Sequence, residues 1–170
     1  MVLSVSFHNP DQYMAALRKI IAQGRKRIGL LVGAGAPAGM KREDGTRPLI
    51  PAVIGLTEQV LEKIRPTYDT QIKGLQADLT KSDIETLLSR IRALSGVIGT
   101  TQVHGRDGPG YKAMAEAICS EIGKIVNVRL PTQSSPYSEL VSWITGVPRE
   151  HAVEIFTTNY DLLFDDVDRH

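Results

Sequence analysis

The chain has 170 residues, 42% apolar and 23% charged, with a formal net charge of +1. That length suits one domain with a real core, and near neutrality removes any global field directed at nucleic acid or an acidic membrane. The single Cys119 excludes an intrachain disulfide and a four-cysteine zinc site, and no apolar run reaches membrane-spanning length.

The N-terminus does not read as a signal peptide, because its charges follow the first apolar stretch, so a cytoplasmic location is the default expectation. Asn9-Pro10-Asp11-Gln12 reads as a helix start, with Asn9 as N-cap and Pro10 at the first position. Tyr13, Met14, Leu17, Ile20 and Ile21 form one stripe at helical spacing, and Gly24 stops the helix. Arg25-Lys26-Arg27 then suits the negative end of the dipole; one short cluster in a neutral protein is a poor nucleic-acid patch. Ile28 to Val32 is a near-continuous apolar run leading into Gly33-Ala34-Gly35, the pattern of a central parallel strand entering a glycine turn.

Residues 39 to 51 read as an irregular, charged loop long enough to act as a lid or binding loop. A short helix is expected from Leu56 to Ile64, ended by Pro66. Ser82-Asp83-Ile84-Glu85 reads as a capping box opening a helix with Ile84, Leu87, Leu88, Ile91 and Leu94 on one face, ended by Gly96 and Gly99. His104 to Gly110 reads as a flexible connection. A further helix is expected over Tyr111 to Ile125, with Met114, Ile118, Ile122 and Ile125 inward and Cys119 as a small buried hydrophobe. Val126 to Leu130 reads as a short strand. Another helix begins at Ser135-Pro136 and ends at Gly146-Val147-Pro148.

The stretch from Val153 to Leu163 opens as a short apolar, β-branched run, the mark of a buried strand, breaks into polar or hydroxylated side chains, and resumes as the apolar start of a helix. Strand, polar turn, helix is where an open α/β sheet presents its ligand edge. The plainer account is that Asn159 and Asp161 cap a turn. The two strong strands are separated by about 120 mostly helical residues, whereas a plain βαβ unit needs roughly 30. The expected fold is therefore α/β, a single domain over residues 1–170. It would have a Rossmann-like parallel sheet, helices on both faces, and a helical insertion over about 56–148.

Gly33-Ala34-Gly35 lets a pyrophosphate approach the backbone N–H groups closely. It fails as a dehydrogenase fingerprint, because the next glycine is Gly39 and no well-placed acid follows about 20 residues on; no Gly-Lys-Ser/Thr makes it a P-loop. Alone, it is explained equally well as a tight turn without function.

Taken together, three segments resemble the sirtuin-like family, in particular its zinc-free bacterial branch, whose members cleave nicotinamide adenine dinucleotide (NAD) in antiphage defence. They are residues 28–36, the helix start Asp83-Ile84-Glu85-Thr86-Leu87-Leu88, and residues 153–163, the last being the most specific. By that resemblance, Gly33, Ala34, Gly35 and Ala36 would cradle the dinucleotide phosphates. Asn159 would be catalytic, orienting the water that attacks the anomeric carbon of the nicotinamide ribose. Asp161 would shape the nicotinamide end, Thr157 and Thr158 would line the turn, and Arg47 would cap the cofactor. NAD would be substrate, and no metal is implied.

The partners that the resemblance implies are NAD, a second copy of the chain, or an associated defence protein of Argonaute-like or helicase-like type, with neither nucleic acid nor membrane bound by this domain. A deacylase of the sirtuin type, or a module that senses NAD or ADP-ribose without turnover, are the competing functions. Two departures stand out. Pro37 takes the place of the family's usual Ser, and the family's general-base His has no counterpart except His170, the last residue. His104 precedes Asn159 and reads as a loop residue, His151 as a helix-end or surface residue, and His8 lies upstream of the first helix. The sequence is therefore expected to be the N-terminal part of a longer protein, incomplete in sheet and catalytic base.

Overall fold

Local sequence signals build most of the helices. In a computed structural model describing residues 9–42, 45–131 and 134–167, the chain is mixed α/β, mostly helical, with one parallel two-stranded sheet among the described residues. His8 and His170 lie outside the described residues. Two compact units divide the chain, one drawn from residues 1–33 and 133–158, the other from 34–132 and 159–170.

The first unit holds α1 (Pro10–Ala22), β1 (Ile28–Val32), α5 (Pro136–Gly146) and β2 (Val153–Thr157). The Asn9 side chain accepts from the N–H groups of Asp11 and Gln12, satisfying two donors that a helix start leaves open, and Gly24 at φ +60° ends the turn. Ser135 and Ser138 cap α5 reciprocally. Arg149 ties the unit together: its guanidinium donates to the Ile21 carbonyl at 3.1 Å and lies 4.5 Å from the Trp143 ring centre. β1 and β2 pair in parallel, Ile28 opposite Val153 through to Val32 opposite Thr157.

Two expectations fail here. The strands were expected to be buried, yet Leu31 is 76% exposed and Phe156 55%; each strand has one partner in the described sheet. The α1 stripe of Tyr13, Met14, Leu17 and Ile20 is likewise about half exposed.

The second unit holds α2 (Val53–Ala77), α3 (Ile84–Val97), α4 (Gly108–Val126) and α6 (Leu163–Val167). Its core joins Val60, Ile64, Ile72 and Leu75 of α2 to Ile84, Leu87 and Ile91 of α3, and to Tyr111, Met114 and Ile118 of α4. The stripes of α3 and α4 are those expected. Pro66 lies two residues before a kink rather than at a helix end: the 25 residues of α2 are two helical stretches joined at Tyr68, whose backbone is non-helical (φ −129°, ψ 20°). Proline removes one N–H and kinks a helix, but Tyr68, Ile72 and Leu75 beyond it are buried, and that burial keeps the second half helical.

The remaining corrections are local. The cap of α3 is Asp83, not Ser82, accepting from Thr86 N–H at 2.9 Å. Gly96 lies inside that helix, and Gly99 at φ +54° follows its end. Residues 103–106 form a tight turn with His104 at φ +47° rather than a loose connection. Val126 ends α4 and residues 127–131 form no strand. Cys119 is exposed, facing outward and accepting from the Arg92 guanidinium at 3.3 Å.

Candidate functional site

Within the first unit, the parallel register sets the two motifs at one sheet end. Val32 lies opposite Thr157, and Thr158 N–H donates to the Val32 carbonyl at 3.3 Å, so β1 and β2 end together. Gly33 and Thr158 are the next residues along each strand.

Within the second unit, the segments that continue from those strands meet around one recess of about 50 Å³. Ala34 and Pro37 come from the glycine turn and Asn159, Tyr160 and Asp161 from the polar turn, while Leu56, Glu85 and Val126 add wall from α2, α3 and α4. Pro37 is buried and starts a 3₁₀ turn, Pro37–Gly39, whose Gly39 N–H donates to the Gly35 carbonyl at 3.3 Å. The Asn159 amide nitrogen and oxygen are both screened from solvent.

Glycine at positions 33 and 35 is not demanded by the chain itself. Neither has positive φ, and a Cβ at either would meet nothing within 4 Å. The peptide backbone there is open to close approach from outside, which is what a phosphate cradle needs.

Not every expected residue joins the recess. Asp161 lines it and also closes the turn into α6, its Oδ1 accepting from Leu163 N–H at 3.2 Å, in keeping with the plainer reading of a capped turn. Arg47 does not line it. A hairpin in which Arg42 N–H donates to the Arg47 carbonyl places Arg47 in a separate groove with Arg42, Lys63, Lys124 and the carboxylates of Glu58, Glu62 and Glu121. Thr157 and Thr158 belong to the first unit, and Gly35 and Ala36 lie in the second without being among the recess-lining residues. His104 is remote from the lining, its Nε2 3.3 Å from the Asp78 carboxylate. His151 is exposed.

A second cavity of about 360 Å³ shares Leu56, Glu85, Val126 and Tyr160 with the recess and continues over Leu88, Arg92 and Ile122. Its size falls in the range of small-molecule sites, which the recess alone does not. Two of the shared residues are joined to each other: the Tyr160 hydroxyl donates to Glu85 Oε1 at 3.1 Å. That bond, with partial burial, raises the Tyr160 pKa above the usual tyrosine value. Sequence reasoning gave neither residue a site role. Glu85 was legible as part of a helix start and of the resembling segment Asp83–Leu88, without a role of its own.

The α3 start is held electrostatically. Lys81 Nζ lies 2.7 Å from Asp83 Oδ2, and this hydrogen bond, followed by those from Thr86, lowers the Asp83 pKa from 3.8 to about 2. A depressed carboxylate pKa adds stability that is fully present above 3.8 and is lost as pH falls through about 2. The melting difference between wild type and Asp83→Asn should therefore persist at pH 5 and shrink steadily between pH 4 and 2. A difference independent of pH over that window would show that the charge on Asp83 contributes nothing.

Among the described residues no cluster of His, Cys, Asp or Glu is arranged to hold a metal ion, and no helix is long and apolar enough to cross a membrane. No family model matches the chain, and no curated protein matches it.

Proposed function

We propose that this chain is the NAD-hydrolysing domain of a bacterial antiphage effector, splitting nicotinamide from the dinucleotide. The observation that carries the reading is the shared recess: residues following β1 and residues following β2, from two of the three segments of the sirtuin-like resemblance, line one cavity in the second unit. On this reading the parallel pair β1–β2 is part of a Rossmann-like sheet, and the open backbone at Gly33-Ala34-Gly35 takes the phosphates.

Loss of nicotinamide leaves an oxocarbenium-like ribose, so the site needs positioning and electrostatics more than a strong nucleophile. The Asn159 amide, uncharged at any physiological pH, holds the attacking water by hydrogen bonds. The domain works in the cytoplasm without a metal, as an oligomer or under an associated Argonaute-like or helicase-like protein. Arg47, in its own groove, is assigned to the outer part of the substrate rather than to the reacting end.

The test is to incubate the full-length protein with NAD and separate nicotinamide and ADP-ribose by chromatography. Stoichiometric release of both is expected. Silence of the wild-type protein, alone and with its defence partner, would overturn the reading; acetyl-peptide turnover in place of hydrolysis would make it a deacylase.

A further inference from the structure

We propose that the cavity of about 360 Å³ between α3 and α4 is a binding site in its own right, for a small monocarboxylate whose apolar, ring-sized body is anchored by its acid group on Arg92. The inference is independent of the hydrolase reading. One face of each helix shapes the cavity: Ile84 and Leu88 of α3 and Ile122 and Val126 of α4 supply apolar wall, and Leu56 adds to it from α2. Gly123 lies among them without a side chain, and a Cβ there would meet nothing within 4 Å. Small-molecule sites have this make-up, about 300–1,000 Å³ of mostly apolar lining with a few convergent polar groups.

Arg92 sets the charge of the occupant. Its Nη2 donates to the Cys119 Sγ at 3.3 Å, a weak acceptor. Among the described residues the ion pairs of the helical unit belong to Lys73, Lys81, His104 and Lys124, so the Arg92 guanidinium keeps its charge and most of its planar fork for an outside acceptor. A carboxylate matches that fork bidentately and balances its charge. Glu85 sets the opposite limit. It lies on the same face of α3, about two turns or roughly 10 Å from Arg92, so the cavity admits a negative group at one end and repels a second at the other. An apolar body over Leu88 and Ile122 fills the length between. Leu56, Glu85, Val126 and Tyr160 also line the recess, so an occupant of this cavity rests against walls of the neighbouring site.

The experiment titrates the full-length protein with 2-naphthoate and with its neutral counterpart 2-naphthamide by calorimetry. Alkylation of Cys119 by N-ethylmaleimide is followed alongside, on the peptide that carries it, by mass spectrometry. Hydrogen bonds to a charged group are strong enough that the acid should bind about ten- to a hundredfold more tightly than the amide. It should also shield Cys119, which lines the cavity, in proportion to occupancy. Arg92→Gln, at an exposed position, should reduce the affinity for the acid to that for the amide at an unchanged melting temperature. Gly123→Leu should fill the cavity and abolish binding of both; if it lowers the melting temperature, Arg92→Gln decides alone. Equal affinity for acid and amide, an acid preference that survives Arg92→Gln, or no binding to wild type overturns the site. Inorganic phosphate that displaces 2-naphthoate at equal concentration overturns it too, because charge alone would then be read. None of these measurements involves NAD, so their failure leaves the hydrolase reading untouched.

Discussion

Asn159→Ala should lower nicotinamide release by about 10²–10³-fold, the usual cost of deleting one preorganised polar group at a reacting centre. The argument runs through placement. Both polar atoms of the amide are screened from bulk water, in a recess of about 50 Å³ whose apolar walls include Ala34, Pro37, Leu56 and Val126. A site so small admits a reacting group and its water, not a whole dinucleotide, so an atom lining it acts on the reaction rather than on general affinity. The expected signature is a fall in kcat with little change in NAD affinity, at a stability cost of about 1 kcal/mol for the lost hydrogen bonding. Retention of a tenth or more of the wild-type rate, about 1.4 kcal/mol or less in barrier, would remove Asn159 from the chemistry.

Ile91→Ala should be strongly destabilising in the helical unit. Ile91 is fully buried in the cluster that joins α3 to α2 and α4. Removing its branched side chain should cost about 2–5 kcal/mol, against about 5–15 kcal/mol of total stability for a domain. Ile91→Val should cost about 0.5–1.5 kcal/mol at the same place. Urea denaturation checks both, through a lowered midpoint at unchanged slope. Leu31→Ala in β1 is the contrast, expected within about 0.5 kcal/mol because Leu31 is 76% exposed. A cost for Ile91→Ala below that of Leu31→Ala would place the core elsewhere.

These contrasts trace what the residues disclosed beforehand. Signals confined to a few neighbours were readable: Asn9-Pro10 at a helix start, the β-branched run at Val153, and the inward faces of α3 and α4 all match the structure. Signals that depend on what packs above them were not. The apolar content of β1 and α1 promised burial, but burial needs a neighbour, and no residue type names one. Pro66 promised a helix end by a local rule; the helix is interrupted by a kink at Tyr68, and the buried side chains of Tyr68, Ile72 and Leu75 go with a second helical stretch beyond it. Cys119 shares its helix with inward Ile118 and Ile122, yet a displacement of one residue around a helix is enough to turn a thiol outward.

At the site, the same division holds. Asn159 and Asp161 drew notice because polar residues interrupted an apolar pattern. Glu85 escaped it because an acid in the first turn of a helix is already explained by the helix. Only the fold sets it beside Tyr160, 75 positions away in sequence, on the wall of the recess.

The parallel pairing of β1 with β2 also orders events in time. Ile28 meets Val153, so the sheet closes one of the longest loops available to this chain, whereas the α2–α3–α4 core lies within one continuous stretch. Contacts close in sequence form faster than distant ones, and a nascent chain presents its residues in order. The helical core is therefore expected to assemble on the ribosome while β1 still waits for its partner. Asn159 and Tyr160 arrive only after β2, and Glu85 has no Tyr160 to hold it until then. On the proposed reading, the recess that joins the two motif segments is not assembled until β2 and the turn after it have emerged.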